Sequence, residues 1–286
     1  MARVVPTPHV YPLRISLPGR AHLRYLGAME FHAVVAVEDR LSLCSSDRER
    51  TAAARAIART GGAELLLFCV ADDHAHTLIR GEPRRASQVA GNIAQALQRA
   101  CRVRLQPTFV KPVESRSHLK SLVPYILDQT THHGLTTAAH PATWPGSAFL
   151  DLVGARIGTT FGPEPLREAL PRLTRDEVWA AVKLPHVDPA DDTLLARAGF
   201  EALAEACCGA LGLVDLRSRS YAGVRGRRAL VRLAAHLGFP GVLDRLELPS
   251  RTARRHASSD ADPVLEAAVR MWVAIHSAAG GPPAAR

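Results

Sequence analysis

Asp73-His74-Ala75-His76-Thr77-Leu78 sets two imidazoles on either side of one small apolar residue, at the start of an apolar run. Strand side chains two apart point to one face, so His74 and His76 would offer two ring nitrogens to the same ion. Further along, Tyr125 is followed four places later by Gln129. That spacing puts both on one face of a helix, where a phenol and an amide oxygen can approach the ion together. Two imidazoles, an amide oxygen and a phenol suit metal-assisted displacement at phosphorus, with the phenol as nucleophile. A phenol with an ordinary pKa near ~10 attacks poorly at neutral pH, so a cation that polarises the electrophile is the complement it needs.

The histidine pair alone carries little weight, because 13 histidines in 286 residues produce such a spacing about once by chance. The surrounding pattern gives it meaning. Leu65 to Val70 is an apolar run typical of a buried strand, residues 71–73 make a tight turn, and Ala75 to Ile79 returns as a strand carrying both histidines. Asp73 either orients His74 as an acceptor or serves the turn, which is the favoured reading, and His132 and His133 fall at a helix C-terminus, where cationic side chains are favoured by the dipole.

The wider pattern predicts strand 31–38, helix 46–60 capped by Ser45 or Ser46, strands 64–70 and 75–80, helix 87–102, a short strand near 108–113 and helix 117–132. The class is α+β. The order β-α-β-β-α-β is that of a ferredoxin-like sheet with helices on one face, and the added helix can bring Tyr125 beside the central strand. Function does not follow from such a scaffold, which hosts many activities.

Phe68 to Ile79, with its histidine-hydrophobe-histidine strand, resembles the REP-associated tyrosine transposases, a branch of the HUH single-strand DNA transposases. Tyr125-Ile126-Leu127-Asp128-Gln129 followed by His133-Gly134-Leu135 is similar to their tyrosine helix, and Trp144-Pro145-Gly146-Ser147-Ala148-Phe149 leading to Gly154 to the signature after it. The resemblance covers roughly residues 15 to 160. Two departures stand out: Gln129-Thr130 replaces the family's asparagine-proline, and residues 104–112 lack its tryptophan-glutamine segment. The resemblance implies a metal-dependent single-strand DNA endonuclease and strand transferase that acts on repeat hairpins. In it Tyr125 would form a 5′-phosphotyrosine, and His74, His76 and Gln129 would hold Mg²⁺ or Mn²⁺. The covalent bond conserves the energy for rejoining, so no nucleotide cofactor is required, and a homodimer is expected.

Length and charge agree with this direction. A chain of 286 residues accommodates two domains, read here as 1–162 for the transposase-like part and 166–286 for an all-α part. A net charge of +9 and pI of 9.9 point to a polyanionic partner. Cysteines at 44, 69, 101, 207 and 208 show no Cys-x-x-Cys spacing, which implies reduced thiols and no zinc site. No run is apolar enough to span a bilayer and no secretory signal opens the chain, so a cytoplasmic protein is expected.

In the C-terminal part, Ala229, Leu230, Leu233, Ala234 and Leu237 recur at helical spacing until Gly238 stops the helix. A short helix from Val242 to Leu246 and a third opened by Pro249-Ser250 follow. This resembles a helix-turn-helix of the DnaA type. The resemblance implies duplex DNA binding, with Arg251, Thr252, Arg254 and Arg255 on the last helix and Arg227 and Arg228 on the first. The alternative is a domesticated DNA-binding regulator in which this unit works and the nuclease fold is only a scaffold.

Overall fold

The computed structural model describes residues 29–38, 42–135, 140–159, 161–240, 245–246 and 249–280. The expected short helix from Val242 lies mostly outside them.

The chain is mixed α+β. Strands β1 (Met29–Ala36), β2 (Leu65–Val70), β3 (His74–Gly81) and β4 (Phe109–Pro112) form one antiparallel sheet in the order β2-β3-β1-β4. Helix α1 (Asp47–Gly61) precedes β2, and α2 (Pro83–Cys101) joins β3 to β4. The Ser46 hydroxyl caps α1 by accepting from the Glu49 N–H, which satisfies a donor that the helix itself cannot. Every residue of β2 is buried, in keeping with its unbroken apolar sequence. In β1 only alternate residues are buried, Phe31, Ala33 and Val35. Alternation sends the other set, including His32 and Val34, to the opposite face.

That second face receives α3 (Arg116–Leu127), capped by Ser115, and the single turn α4 (Gln129–His132). The expected helix over 117–132 is therefore broken at Asp128. Its carboxylate accepts from the Thr131 hydroxyl and pairs with Lys183 at 2.9 Å, while its backbone N–H still donates to Pro124 O and its carbonyl accepts from His132 N–H.

The open edge of β2 is closed by residues 144–148. Val70 N–H donates to Gly146 O at 3.0 Å, Ala148 N–H donates to Phe68 O at 3.0 Å, and the Trp144 indole donates to Val70 O at 2.7 Å. A Cβ on Gly146 would lie 2.7 Å from Val70 O, so only glycine permits this approach. Behind the segment, buried Arg156 donates to buried Asp151 and to the carbonyls of Pro145 at 2.7 Å and Ser147 at 2.5 Å. The tryptophan-proline-glycine-serine motif thus acts as an edge cover, one remedy for exposed strand edges.

After α5 (Phe149–Leu152), helices α6 (Glu164–Ala169) and α7 (Arg175–Ala181) pack against β2 and α3 respectively, past the boundary expected near 162–166. The helical part continues with α8 (Asp192–Leu211), α9 (Tyr221–His236), α10 (Ser250–Ala257) and α11 (Pro263–Ala278). Gly209 lets α8 meet α11 closely, since a Cβ there would lie 2.2 Å from the Trp272 indole nitrogen. Arg55 on α1 donates to Gly212 O at 2.7 Å, tying this part to the sheet domain. No helix among the described residues is long and apolar enough to cross a membrane.

Candidate metal and nucleophile site

Antiparallel pairing of β1 with β3 sets Val34 opposite His76 and His32 opposite Leu78, so His32, His74 and His76 share the face that α3 covers. The Nε2 atoms of His74 and His76 lie 2.8 Å apart. Two lone pairs cannot meet at that separation, so the nitrogens share either a proton or a cation. Zinc–nitrogen bonds of about 2.0–2.1 Å at tetrahedral angles would put ligand nitrogens about 3.3 Å apart, so a small widening of this pair would admit an ion.

Both remaining ring nitrogens are engaged. His74 Nδ1 is 2.6 Å from Asp73 Oδ1, and His76 Nδ1 is 2.9 Å from His32 Nε2, with the His32 and His76 rings stacked. Partners of this kind fix tautomer and ring orientation in metal-binding histidines. Asp73 therefore does more than make the turn. The turn itself is pinned: Asp72 O accepts from the N–H groups of Leu43 and Cys44, and Arg50 donates to Asp72 Oδ1 at 2.7 Å while its guanidinium lies over the Trp144 ring.

Tyr125 stands over this pair. Its ring is 5.4 Å from that of His76 and 6.2 Å from that of His32, centroid to centroid, and the side chain is 39% exposed. Gln129 is fully buried, and its Nε2 donates to Tyr125 O at 2.6 Å. That bond leaves Oε1 as a buried acceptor with no hydrogen-bond partner, although the amide lies near enough to His76 to favour its protonated form. A buried oxygen of this kind beside the His76 imidazole is a group that a bound cation would satisfy. The four residues expected from spacing are thus brought together.

His132 ends α4 and His133 caps it, the helix-end positions expected from sequence, and both rings also reach the site. The His133 ring lies 4.6 Å from His74 and the His132 ring 5.3 Å from Tyr125, so both line the site. Asp73, His74 and His133 also present ligand atoms within 4.8 Å of one another, a cluster able to hold a metal ion. His32 was not expected from sequence at all.

Burial, then the nearby His74, His32 and His133, push the His76 ring down to about 2. Burial followed by His118, His74 and Lys111 pushes His32 down to about 4. Neutral rings with free lone pairs are the form that binds metal. Lys111, paired with His32 across β1 and β4, puts a positive charge at the edge of the cleft.

Of the arginines expected to meet DNA, Arg251, Arg254 and Arg255 are exposed on α10 and Thr252 is half-buried. Arg227 is turned inward, donating to the carbonyls of Leu216 and Ser218. Arg228 lines a groove of about 350 Å³ between α9 and the start of α11, shared with Arg225, Arg232, Asp260 and Asp262. Arg225 pairs there with Asp262, and Arg232 with Glu266.

Compared with protein families, curated proteins and solved structures, the chain matches none.

Proposed function

We propose that this protein is a metal-dependent single-strand DNA endonuclease and strand transferase of the HUH transposase type, with Tyr125 as nucleophile. The observation that carries the reading is the His74–His76 Nε2 pair beneath the Tyr125 ring, beside the unpartnered Gln129 oxygen. The element order and the sheet order β2-β3-β1-β4 support the ferredoxin-like scaffold that the resemblance implies.

The ion would be held by Nε2 of His74 and His76 and by Oε1 of Gln129. Few protein ligands, one of them oxygen, suit Mg²⁺ or Mn²⁺, which keep positions for phosphate and water. Once bound, the ion would polarise the scissile phosphate and neutralise developing charge. The Tyr125 oxygen forms a bond to phosphorus as the phosphorus–O3′ bond breaks, giving a 5′-phosphotyrosine and a free 3′-hydroxyl. Lys111 would supply positive field along the strand's approach. In the helical part, Arg251, Thr252, Arg254 and Arg255 would meet duplex DNA, joined by Arg228, which is exposed at the groove beside α9.

The test is incubation of the full chain with a random-sequence pool of single-stranded oligonucleotides and Mn²⁺, followed by sequencing of the product ends. Cleavage with free 3′-hydroxyl ends that stops in excess chelator is expected. Cleavage that persists in chelator, or a pool left intact, would overturn the reading.

A further inference from the structure

Cys44 and Cys101 bring two free thiols together from positions far apart in the chain, with Sγ atoms 3.8 Å apart. Cys44 is buried in the segment before α1, and Cys101 is the half-buried last residue of α2. We infer that this pair is a thiol–disulfide modification site, oxidised by a low-molecular-weight disulfide, and that its closure acts on the turn carrying Asp73 and His74.

Exposure sorts the two sulfurs by role. Cys44 is buried, whereas Cys101 is half-buried and is the sulfur that a small disulfide can reach. The Cys101 thiolate attacks one sulfur of glutathione disulfide, that disulfide bond breaks, and one glutathione thiolate leaves and takes a proton. Cys44 then loses its proton to solvent and attacks the Cys101 sulfur, releasing the second glutathione. The two protein thiols are oxidised by two electrons, and the small disulfide is reduced to two thiols.

Bonded sulfurs lie about 2.0 Å apart, so closure must draw the pair together by roughly 1.8 Å. Cys101 ends a long helix, whereas Cys44 lies in an irregular segment, so Cys44 yields. Its N–H donates to Asp72 O at 3.3 Å, that of Leu43 goes to the same oxygen, and the Ser42 hydroxyl joins them at 3.1 Å. Arg50 reaches both Cys44 O at 3.4 Å and Asp72 Oδ1. Movement of Cys44 therefore pulls directly on Asp72, two residues before His74. The inference stands apart from the nuclease reading, because its readouts are thiols and a ring resonance.

The experiment treats the reduced full chain with excess glutathione disulfide under native conditions, then alkylates it, maps the peptides by mass and records histidine ring resonances. Expected are the loss of two of the five free thiols as a Cys44–Cys101 cross-linked peptide, reversal by dithiothreitol, and a shift of the His74 ring signals with those of His276 unmoved. Cys44→Ser and Cys101→Ser should each abolish both the bridge and the shift. The inference is overturned if glutathione remains on Cys101 as a mixed disulfide, if the bridge forms only after unfolding, or if it forms without moving His74.

Discussion

His32 Nε2 lies 2.9 Å from His76 Nδ1, leaving His76 Nε2 to face His74 at 2.8 Å. A histidine on a different strand thus decides which nitrogen of His76 turns toward the site. Asp73 plays the matching part for His74.

His32→Ala should weaken Mn²⁺ binding by about 10- to 100-fold, the usual consequence of removing a partner that orients a metal-binding histidine. The ring sits on the partly open face of β1, so the fold should persist. Electron paramagnetic resonance titration measures the affinity. An unchanged affinity with an intact fold would remove His32 from the site.

Asp151→Ala should destabilise the chain by about 3–5 kcal/mol, because it leaves the buried Arg156 guanidinium without its counter-charge. Urea denaturation reads the loss. The damage should be local at first, with early amide exchange at Val70 and Ala148, whose N–H groups hold the edge cover to β2.

His276 gives stability a pH dependence. Burial pushes its ring down to about 4, only partly offset by its bond to Trp272 O. The unfolded ring, with a pKa near ~6.5, takes up a proton first, so between roughly pH 6.5 and 4 the unfolded state binds more protons. Stability should therefore be fully present above that window and fall as pH drops through it, by at most about 1.4 kcal/mol per pH unit from this group. His276→Gln should flatten the dependence in denaturation measured across the window.

The strands and helices around the site were legible because hydrophobic period and capping residues agree there, as at Ser46 before α1 and in the apolar run of β2. The ligand pair and Tyr125–Gln129 were legible because each set is local, two and four residues apart. His32 was not, since it meets His76 only through the β1–β3 register, which no local pattern records. The Asp128–Lys183 pair beside the helix break is illegible for a similar reason, because its partners are distant in sequence. The tryptophan-proline-glycine-serine motif could be recognised, but its service as an edge cover depends on β2 lying at the sheet margin.

Chelation should also separate metal-dependent chemistry from binding. In excess chelator the chain should still retain duplex DNA through α10 while losing all strand cleavage, and Arg251→Ala should weaken that retention by about 1–3 kcal/mol at one base position. Gel-shift titration over several salt concentrations distinguishes this from a phosphate contact, whose loss would weaken all sequences alike.

The central claim is that Tyr125 becomes covalently joined to DNA. The measurement is denaturing electrophoresis of the full chain after incubation with single-stranded oligonucleotide and Mn²⁺, followed by mass mapping of the modified peptide, with Tyr125→Phe alongside. The phenylalanine ring keeps the packing over His76 and removes only the nucleophilic oxygen. The account predicts a denaturation-resistant adduct on Tyr125 in the unaltered chain and none in the variant. An adduct of equal yield in Tyr125→Phe, or one mapped to another residue, would contradict it.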